Sequence, residues 1–344
     1  MFNRLKSIIK SLFAGIFYFG GLFHLFKFIN NASGRRLTIL AYHRVTNDDI
    51  SNINTSLPSL FVTKDSFSQQ LEFIKKYYNI INFKELKKRI AENDVPPDSL
   101  IITFDDGYED NYQVAYPIME RENITAVMFL AVSKISQNKV LPYWWDRMYY
   151  YLSQYKRWYV QGLSPDLDQE IQSLLKQFEK NSSSLLSSLN QQDTRKINCL
   201  LDSMQAKYKI SHDDLNGANT ILQWDQVQRM KKYMEFGSHT CSHDNLIHLK
   251  QDQLNDEIEE SLKILTAKTQ DDGAAFSYPA GNYNDLIKHR VAEAGYDFAV
   301  TTDTGINDLK DKFTLKRICI WEGTSRGIDG KFSKSLFAYK LMGF

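Results

Sequence analysis

The 344-residue chain is 43% hydrophobic and 24% charged, proportions that supply a sizeable core and exclude a largely disordered protein. Forty-two basic against 41 acidic residues leave a formal charge of +1, which excludes the concentrated basic surface of a nucleic-acid binder. Three scattered cysteines, Cys199, Cys241 and Cys319, speak against a disulfide framework and leave the redox compartment open.

The chain begins with an apolar run. Ser11 to Phe26 has no Lys, Arg, Asp or Glu and follows Arg4, Lys6 and Lys10. It falls short of the about 20 apolar residues that a spanning helix needs, although a snorkelling Lys27 would extend it from Leu12 to Ile29. The basic flank also suits an interfacial helix or a signal peptide, but no small-x-small cleavage site stands before Arg35. Residues 1–34 are therefore expected to be a membrane-associating segment and joint, placing the protein at a membrane or in the cell envelope. A secreted form and a helix docked on the domain are the alternatives.

After the polar joint, Leu37 to Tyr42 predicts a buried strand that ends at His43. Phe67 to Tyr78 has helical spacing, Ile80, Ile81 and Phe83 suggest a short strand, and Glu85 to Ala91 a helix. Pro96 and Pro97 then precede the strand Leu100 to Phe104, which Asp105-Asp106-Gly107 breaks. A helix over Tyr112 to Glu122 and strands at Ala126 to Leu130, Tyr233 to Ser238, Ala275 to Tyr278 and Phe298 to Thr302 complete the alternation. Strands alternating with helices imply a parallel sheet or barrel, whose catalytic groups gather at the strands' carboxyl ends. Between Ser133 and Leu222 the strand rhythm stops. Helical spacing at Ile171, Leu174, Leu175, Phe178 and at Ile197, Leu200, Leu201, Met204 predicts a helical insertion at about 133–222 within a domain of residues 35–344. The insertion either buttresses the rim or, through Trp144 and Trp145, builds a lid or sugar platform.

Two kinds of metal-competent side chain fall at predicted strand ends. Asp105 and Asp106 point to opposite sides because strand side chains alternate, so one can bind an ion while the other takes a proton from water. His239 and His243, four residues apart, can reach one ion if the backbone curls or turns helical. Taken singly, an Asx turn and a surface histidine pair would explain them. Their co-occurrence with a Pro-Ala-Gly loop after a third strand changes that reading.

Thr103-Phe104-Asp105-Asp106-Gly107-Tyr108, Gly237-Ser238-His239-Thr240-Cys241-Ser242-His243 and Phe276-Ser277-Tyr278-Pro279-Ala280-Gly281 resemble the first three motifs of polysaccharide deacetylases, the NodB-homology or carbohydrate esterase 4 family. The resemblance runs from about Leu37 to about Arg317 outside the insertion. It implies an α/β fold, a distorted (β/α) barrel, with a divalent metal, usually zinc, held by Asp106, His239 and His243 and with Asp105 as general base. The oxyanion would be stabilised by the metal and a backbone N–H near Ala280, in the loop of Tyr278 and Pro279. The implied reaction is removal of N-acetyl groups from an amino-sugar polymer or lipid-linked precursor of the cell envelope, so the expected partners are an N-acetylated glycan and a membrane surface.

Two departures from the family pattern bear on this reading. Ser277 stands where the third motif often has arginine, so whatever orients Asp105 must come from elsewhere. No Leu-x-His is found near the C terminus, where Leu315-Lys316-Arg317 occupies the comparable region. His43, in Tyr42-His43-Arg44-Val45, resembles the Tyr-His element of poly-N-acetylglucosamine deacetylases and is the expected acid for the leaving amine, with His248 the weaker candidate and a structural histidine the alternative. Asp303 and Arg317 follow the last strands, where family members place substrate-orienting or base-tuning groups. De-O-acetylation of a glycan and a catalytically silent carbohydrate-binding homologue are the competing readings. Oligomeric state is not legible.

Overall fold

Short runs of Val, Ile, Leu and Phe flanked by breakers become strands, because burial on both faces of a parallel sheet leaves no solvated side to alternate toward. In the computed structural model, which describes residues 2–135, 142–160, 168–210, 215, 219–271 and 275–343, these are β1 (Leu37–Tyr42), β2 (Arg44–Thr46), β3 (Phe61–Thr63), β4 (Asn79–Ile80), β5 (Ser99–Phe104), β6 (Ala126–Leu130), β7 (Met234–Ser238), β8 (Ala275–Ser277), β9 (Phe298–Val300) and β10 (Ile318–Cys319). An eight-stranded sheet runs β10-β1-β5-β6-β7-β8-β9, with β4 on β5, while β2 and β3 pair separately. Every ladder in it is parallel. No ladder joins β9 to β10 among the described residues, so the sheet is a curled half-barrel, an α/β fold.

Period-two alternation divides the core. Leu37, Ile39, Ile101, Val127, Phe129, Phe298 and Val300 fill the barrel interior, while Leu40, Tyr42, Leu100, Ile102, Phe104, Met128 and Leu130 pack outward under the helices. Those helices include α1 (Phe2–Phe19), α2 (Leu22–Ala32), α3 (Lys64–Tyr77), α4 (Phe83–Ala91) and α5 (Tyr116–Glu122). The helix expected from Tyr112 instead opens with a π turn over Asn111–Ala115. Pro117 has no N–H to return to the Gln113 carbonyl, which favours the wider register there.

Between β6 and β7 lie α6 (Trp144–Val160), α7 (Gln169–Leu189), α8 (Thr194–Tyr208) and α9 (Trp224–Met230). Parts of the interval expected to be a helical insertion, 136–141, 161–167, 211–214 and 216–218, lie outside the described residues. The first three of these helices gather an apolar cluster of their own, with Met148, Leu152, Phe178, Leu186, Leu201 and Met204 buried in it. α7 is broken at Asn181, whose backbone leaves helical geometry and whose side chain accepts from Ser184 N at 3.0 Å. An internal N-cap thus restarts the helix. The remaining helices are α10 (Gln251–Asn255), α11 (Ser261–Thr269), α12 (Asp285–Glu293), α13 (Glu322–Ser325) and α14 (Lys334–Leu341).

The apolar run expected to extend from Leu12 to Ile29 is not one helix but a bent pair, which together has the length and composition of a span. Gly20 and Gly21 separate α1 from α2, and the two helices meet at 68°. Gly21 takes φ 79°, a left-handed conformation that glycine adopts without penalty. Among the described residues no single helix is long and apolar enough to cross a membrane.

Candidate active site

The ladder continues one rung past several strands, and those rungs set the site. Asp105 N donates to Tyr42 O at 3.0 Å, His239 N to Leu130 O at 2.8 Å and Tyr278 N to Val300 O at 3.2 Å. His43, Asp105, His239 and Tyr278 are therefore each the first residue beyond a parallel strand, all at one rim.

Asp105 continues the interior face set by Ile101 and Thr103. There it meets Arg317, which lies over the Phe129 ring and caps the barrel's apolar interior. Arg317 donates to both Asp105 oxygens, at 2.7 and 2.8 Å, and also to Thr103 Oγ1, Ser277 Oγ and Thr301 O. Burial pushes the Asp105 carboxyl up, but the Arg317 guanidinium, helped by His239 and His43, outweighs it and holds the carboxyl well below its ordinary range. Asp105 is thus a buried carboxylate. Ser277, in the place of the usual arginine, is small enough to leave room for this guanidinium and hydrogen-bonds it.

Asp106 turns the other way, with φ 75°. Its Oδ1 lies 3.4 Å from His243 Nε2 and 3.7 Å from His239 Nε2. Burial, followed by the neighbouring His243, lowers the His239 pKa to about 4, so that imidazole is neutral. Its Nδ1 faces Ser277 O at 2.7 Å. A neutral ring bonded to a carbonyl places its proton on Nδ1 and its lone pair on Nε2, toward Asp106.

The two histidines converge without a helix between them. Thr240 and His243 adopt φ 68° and 67°, conformations that cost on the order of 1–3 kcal/mol for residues other than glycine. Several hydrogen bonds offset this strain. Thr240 Oγ1 accepts from His243 N at 2.9 Å, and Glu257 accepts from Cys241 N, Ser242 N and Ser242 Oγ at 2.7 to 2.9 Å. Asp106, His239 and His243 thereby place ligand atoms within 4.8 Å of one another, all buried. The donor set fits a divalent cation.

α6 supports this cluster from the other side. Tyr143, just before it, donates its hydroxyl to Asp106 O at 2.7 Å and stacks on Trp145, whose ring meets His243 edge-on at 4.7 Å. Trp145 Nε1 donates to Tyr108 OH, and Tyr108 OH donates to Asp146 at 2.8 Å. Ser56 Oγ donates to the other Asp146 oxygen. Burial pushes the Asp146 carboxyl up to about 7, against the opposing pull of Arg44 and the two hydroxyls.

A cavity of about 280 Å³ stands over the cluster. His43, Asp105, Asp106, His239, His243, Tyr278, Ala280, Thr302 and Arg317 form its barrel side. Leu57, Ser59 and Leu60 precede β3; Trp144 and Trp145 come from α6; Ser183, Leu186, Ser187 and Asn190 come from the end of α7. Most of the expected residues are therefore brought together. Pro279 is buried but outside the cavity lining, and the Tyr278 hydroxyl is committed to Phe313 O at 3.1 Å. β9 ends at Val300, and Asp303 lies exposed outside the cavity lining, with its carbonyl accepting from Arg317 N. His248 is exposed too, with Nε2 facing Gln191 O at 2.8 Å. Glu257 and the α7 residues were not anticipated, since no local pattern marks side chains that reach the site from distant helices.

A family model, polysaccharide deacetylase, matches residues 92–165 and 168–299, more than half of the chain. YxkH of Bacillus subtilis (strain 168), a protein named for the same family, is 21% identical over 304 residues, covering 88% of this chain and 77% of its own. Among solved structures, the deacetylase PplD of Streptococcus pyogenes, in complex with acetate, superposes with a TM-score of 0.55 at 20% identity, over 86% of this chain and 96% of that one. A de-N-acetylase from Aggregatibacter actinomycetemcomitans gives 0.52 at 16% identity, over 82% and 94%. At such identities the structures establish the shared barrel, and the family match establishes more: the chain belongs to the polysaccharide deacetylase family and is a deacetylase.

Proposed function

We propose that the protein hydrolyses N-acetyl groups on an amino-sugar polymer, or on a lipid-linked precursor of one, in the cell envelope. The observation that carries this reading is a buried, ionised Asp105 beside a three-donor cluster at the floor of a cavity. Asp106, His239 and His243 would hold one divalent ion, and two imidazoles with one carboxylate suit zinc with a position left open. When bound, that ion polarises the acetyl carbonyl and increases the acidity of the attacking water.

The chain's own groups account for the rest. Asp105, kept ionised by Arg317, accepts the proton of the attacking water. A backbone N–H at Ala280 would donate to the developing oxyanion. His43, the first residue past β1 and part of the cavity wall, delivers a proton to the departing nitrogen. Trp144, Trp145, Leu57 and Leu186 offer an apolar wall for a sugar ring. The likeness to a de-N-acetylase supports nitrogen as the leaving atom.

The test is acetate release from defined chito-oligomers by metal-depleted and zinc-restored protein, with product analysis. Zinc-dependent acetate with new free amine is expected. Acetate only from O-acetylated glycans would replace this reading with de-O-acetylation, and no acetate from either substrate by zinc-loaded protein would end it. His43→Ala should retain metal and melting temperature while turnover falls on the order of 100-fold or more.

A further inference from the structure

The two N-terminal helices present unlike faces. One is docked on the domain with specific partners. Ala14, Phe23, Lys27 and Asn30 are buried, Tyr18 OH hydrogen-bonds Tyr77 OH at 2.9 Å, and Phe23 packs edge-on against Phe73. Lys27 pairs with Asp98 at 3.2 Å and sits over the Tyr78 ring, while Asn31 and Asp98 exchange two hydrogen bonds of 2.9 and 3.0 Å. Straightening α1 and α2 into one span would break these contacts, and removing them would uncover Phe73 and Tyr77.

The other face is apolar and uncovered. Ile9, Leu12, Phe13, Ile16 and Phe19 recur at helical spacing on α1, and Leu22, Leu25, Phe28 and Ile29 on α2, each at least 44% exposed. The two stripes meet at the Gly20-Gly21 elbow. Among the described residues thirteen large hydrophobic side chains are exposed, and nine belong to this one stretch. Scattered exposed leucines are ordinary, whereas this concentration marks an interaction surface.

Charge selects the occupant. Besides Lys27, which is committed to Asp98, residues 1–36 contain Arg4, Lys6, Lys10, Arg35 and Arg36 and no Asp or Glu. Apolar stripes on a segment whose own charges are all basic match an anionic lipid surface, where acyl chains take up the stripes and head groups attract the cations.

We propose that α1 and α2 lie within one leaflet of an anionic membrane, entering and leaving on the side that carries the barrel, and do not cross it. This goes beyond the deacetylase reading and does not depend on it. The test uses the full chain with vesicles of phosphatidylcholine alone or mixed with phosphatidylglycerol. Wild type should cosediment with the anionic vesicles, less with the neutral ones and less at high salt. The triple variant Leu12→Glu, Ile16→Glu, Phe28→Glu should lose at least 10-fold in binding, with its melting temperature and its acetate release from soluble chito-oligomers equal to wild type.

Because charge on an apolar face can disturb docking, a second readout is the variant Phe13→Trp, whose added indole fluorescence should shift to the blue with anionic vesicles only. No vesicle binding by wild type, equal binding by the triple variant, or an unshifted emission from the Phe13→Trp variant would overturn the proposal. So would a wild-type dimer that the triple variant turns into a monomer, since a second copy would then cover the face. Protection of residues 1–7 from protease added outside sealed proteoliposomes would show a crossing segment instead. Acetate release is read separately, so neither result can mask the other.

Discussion

Asp105 lines the cavity from the barrel rim while Asp146, in the first turn of α6, lies behind the lining residue Trp145, and both are at most 3% exposed. Each has hydrogen-bond donors on both carboxyl oxygens. Asp105 takes two N–H groups from one guanidinium, Asp146 takes hydroxyls from Ser56 and Tyr108. The first carboxyl is held well below its ordinary range and the second is pushed up to about 7. Burial raises both. What separates them is whether a permanent charge is in direct contact, for a neutral hydroxyl compensates desolvation only in part. The chain thus keeps one acid ionised at the cavity floor, as the proposed base requires, and lets the other titrate near neutral pH inside the support for Trp145 and His243.

The largest effect that would test this contrast is loss of the base itself. Asp105→Asn should lower acetate release on the order of 100-fold to 10,000-fold while elemental analysis finds the ion still bound by Asp106, His239 and His243. A near-normal rate would strip Asp105 of its role.

Second comes removal of the charge that distinguishes the pair. Arg317→Gln leaves Asp105 buried without a counter-ion, which typically costs about 3–5 kcal/mol. A carboxyl whose folded pKa is depressed contributes stability above its unfolded pKa and loses it as pH falls. The deficit of Arg317→Gln in urea titrations should therefore be full near pH 7 and shrink as pH drops through about 4. Arg317→Lys, which restores charge without the fork, should recover part of it. A deficit equal at all pH values would mean that Arg317 acts by packing alone.

The smallest effect belongs to Asp146. A carboxyl raised to about 7 in the folded protein favours the native state while protonated, so stability declines as pH rises from its unfolded pKa through that value. Asp146→Asn cannot ionise and escapes the decline. Melting temperatures of mutant and wild type should lie close at about pH 4 and separate by a few degrees by about pH 8, the mutant higher. Parallel melting curves across that range would show that Asp146 is charged throughout.

Much of the barrel was legible because its strands are short apolar runs closed by Pro, Gly or paired Asp. Asp106 and His239 were legible for the same reason, lying just past such runs, and His243 through its spacing of four from His239. Other features arise only from closure in space. Arg317, singled out through the family resemblance, reaches Asp105 across 212 positions, and nothing in Leu315-Lys316-Arg317 itself distinguishes a buried guanidinium from a surface one. Glu257 sits in the acidic run Asp256-Glu257-Ile258-Glu259-Glu260, which reads as a solvated helix face, yet its carboxylate holds the histidine loop. The end of β9 was misplaced for the opposite reason, since the apolar run suggested a strand to Thr302 whereas the ladder ends at Val300 and leaves Asp303 exposed. The elbow at Gly20-Gly21 could have been read, because paired glycines are poor helix formers.

The separation of Asp105 from Arg317 also bears on biosynthesis. At about 5–20 residues per second of translation, Asp105 leaves the ribosome roughly 10–40 s before the cation that neutralises it. A sheet packed in that interval would bury Asp105 with no counter-charge, at a cost of several kcal/mol for the ionised form, so the carboxyl would hold a proton there. Arg317 is made together with β10, the last strand in chain order, so the charged form of Asp105 gains its buried counter-ion only once that edge of the sheet exists.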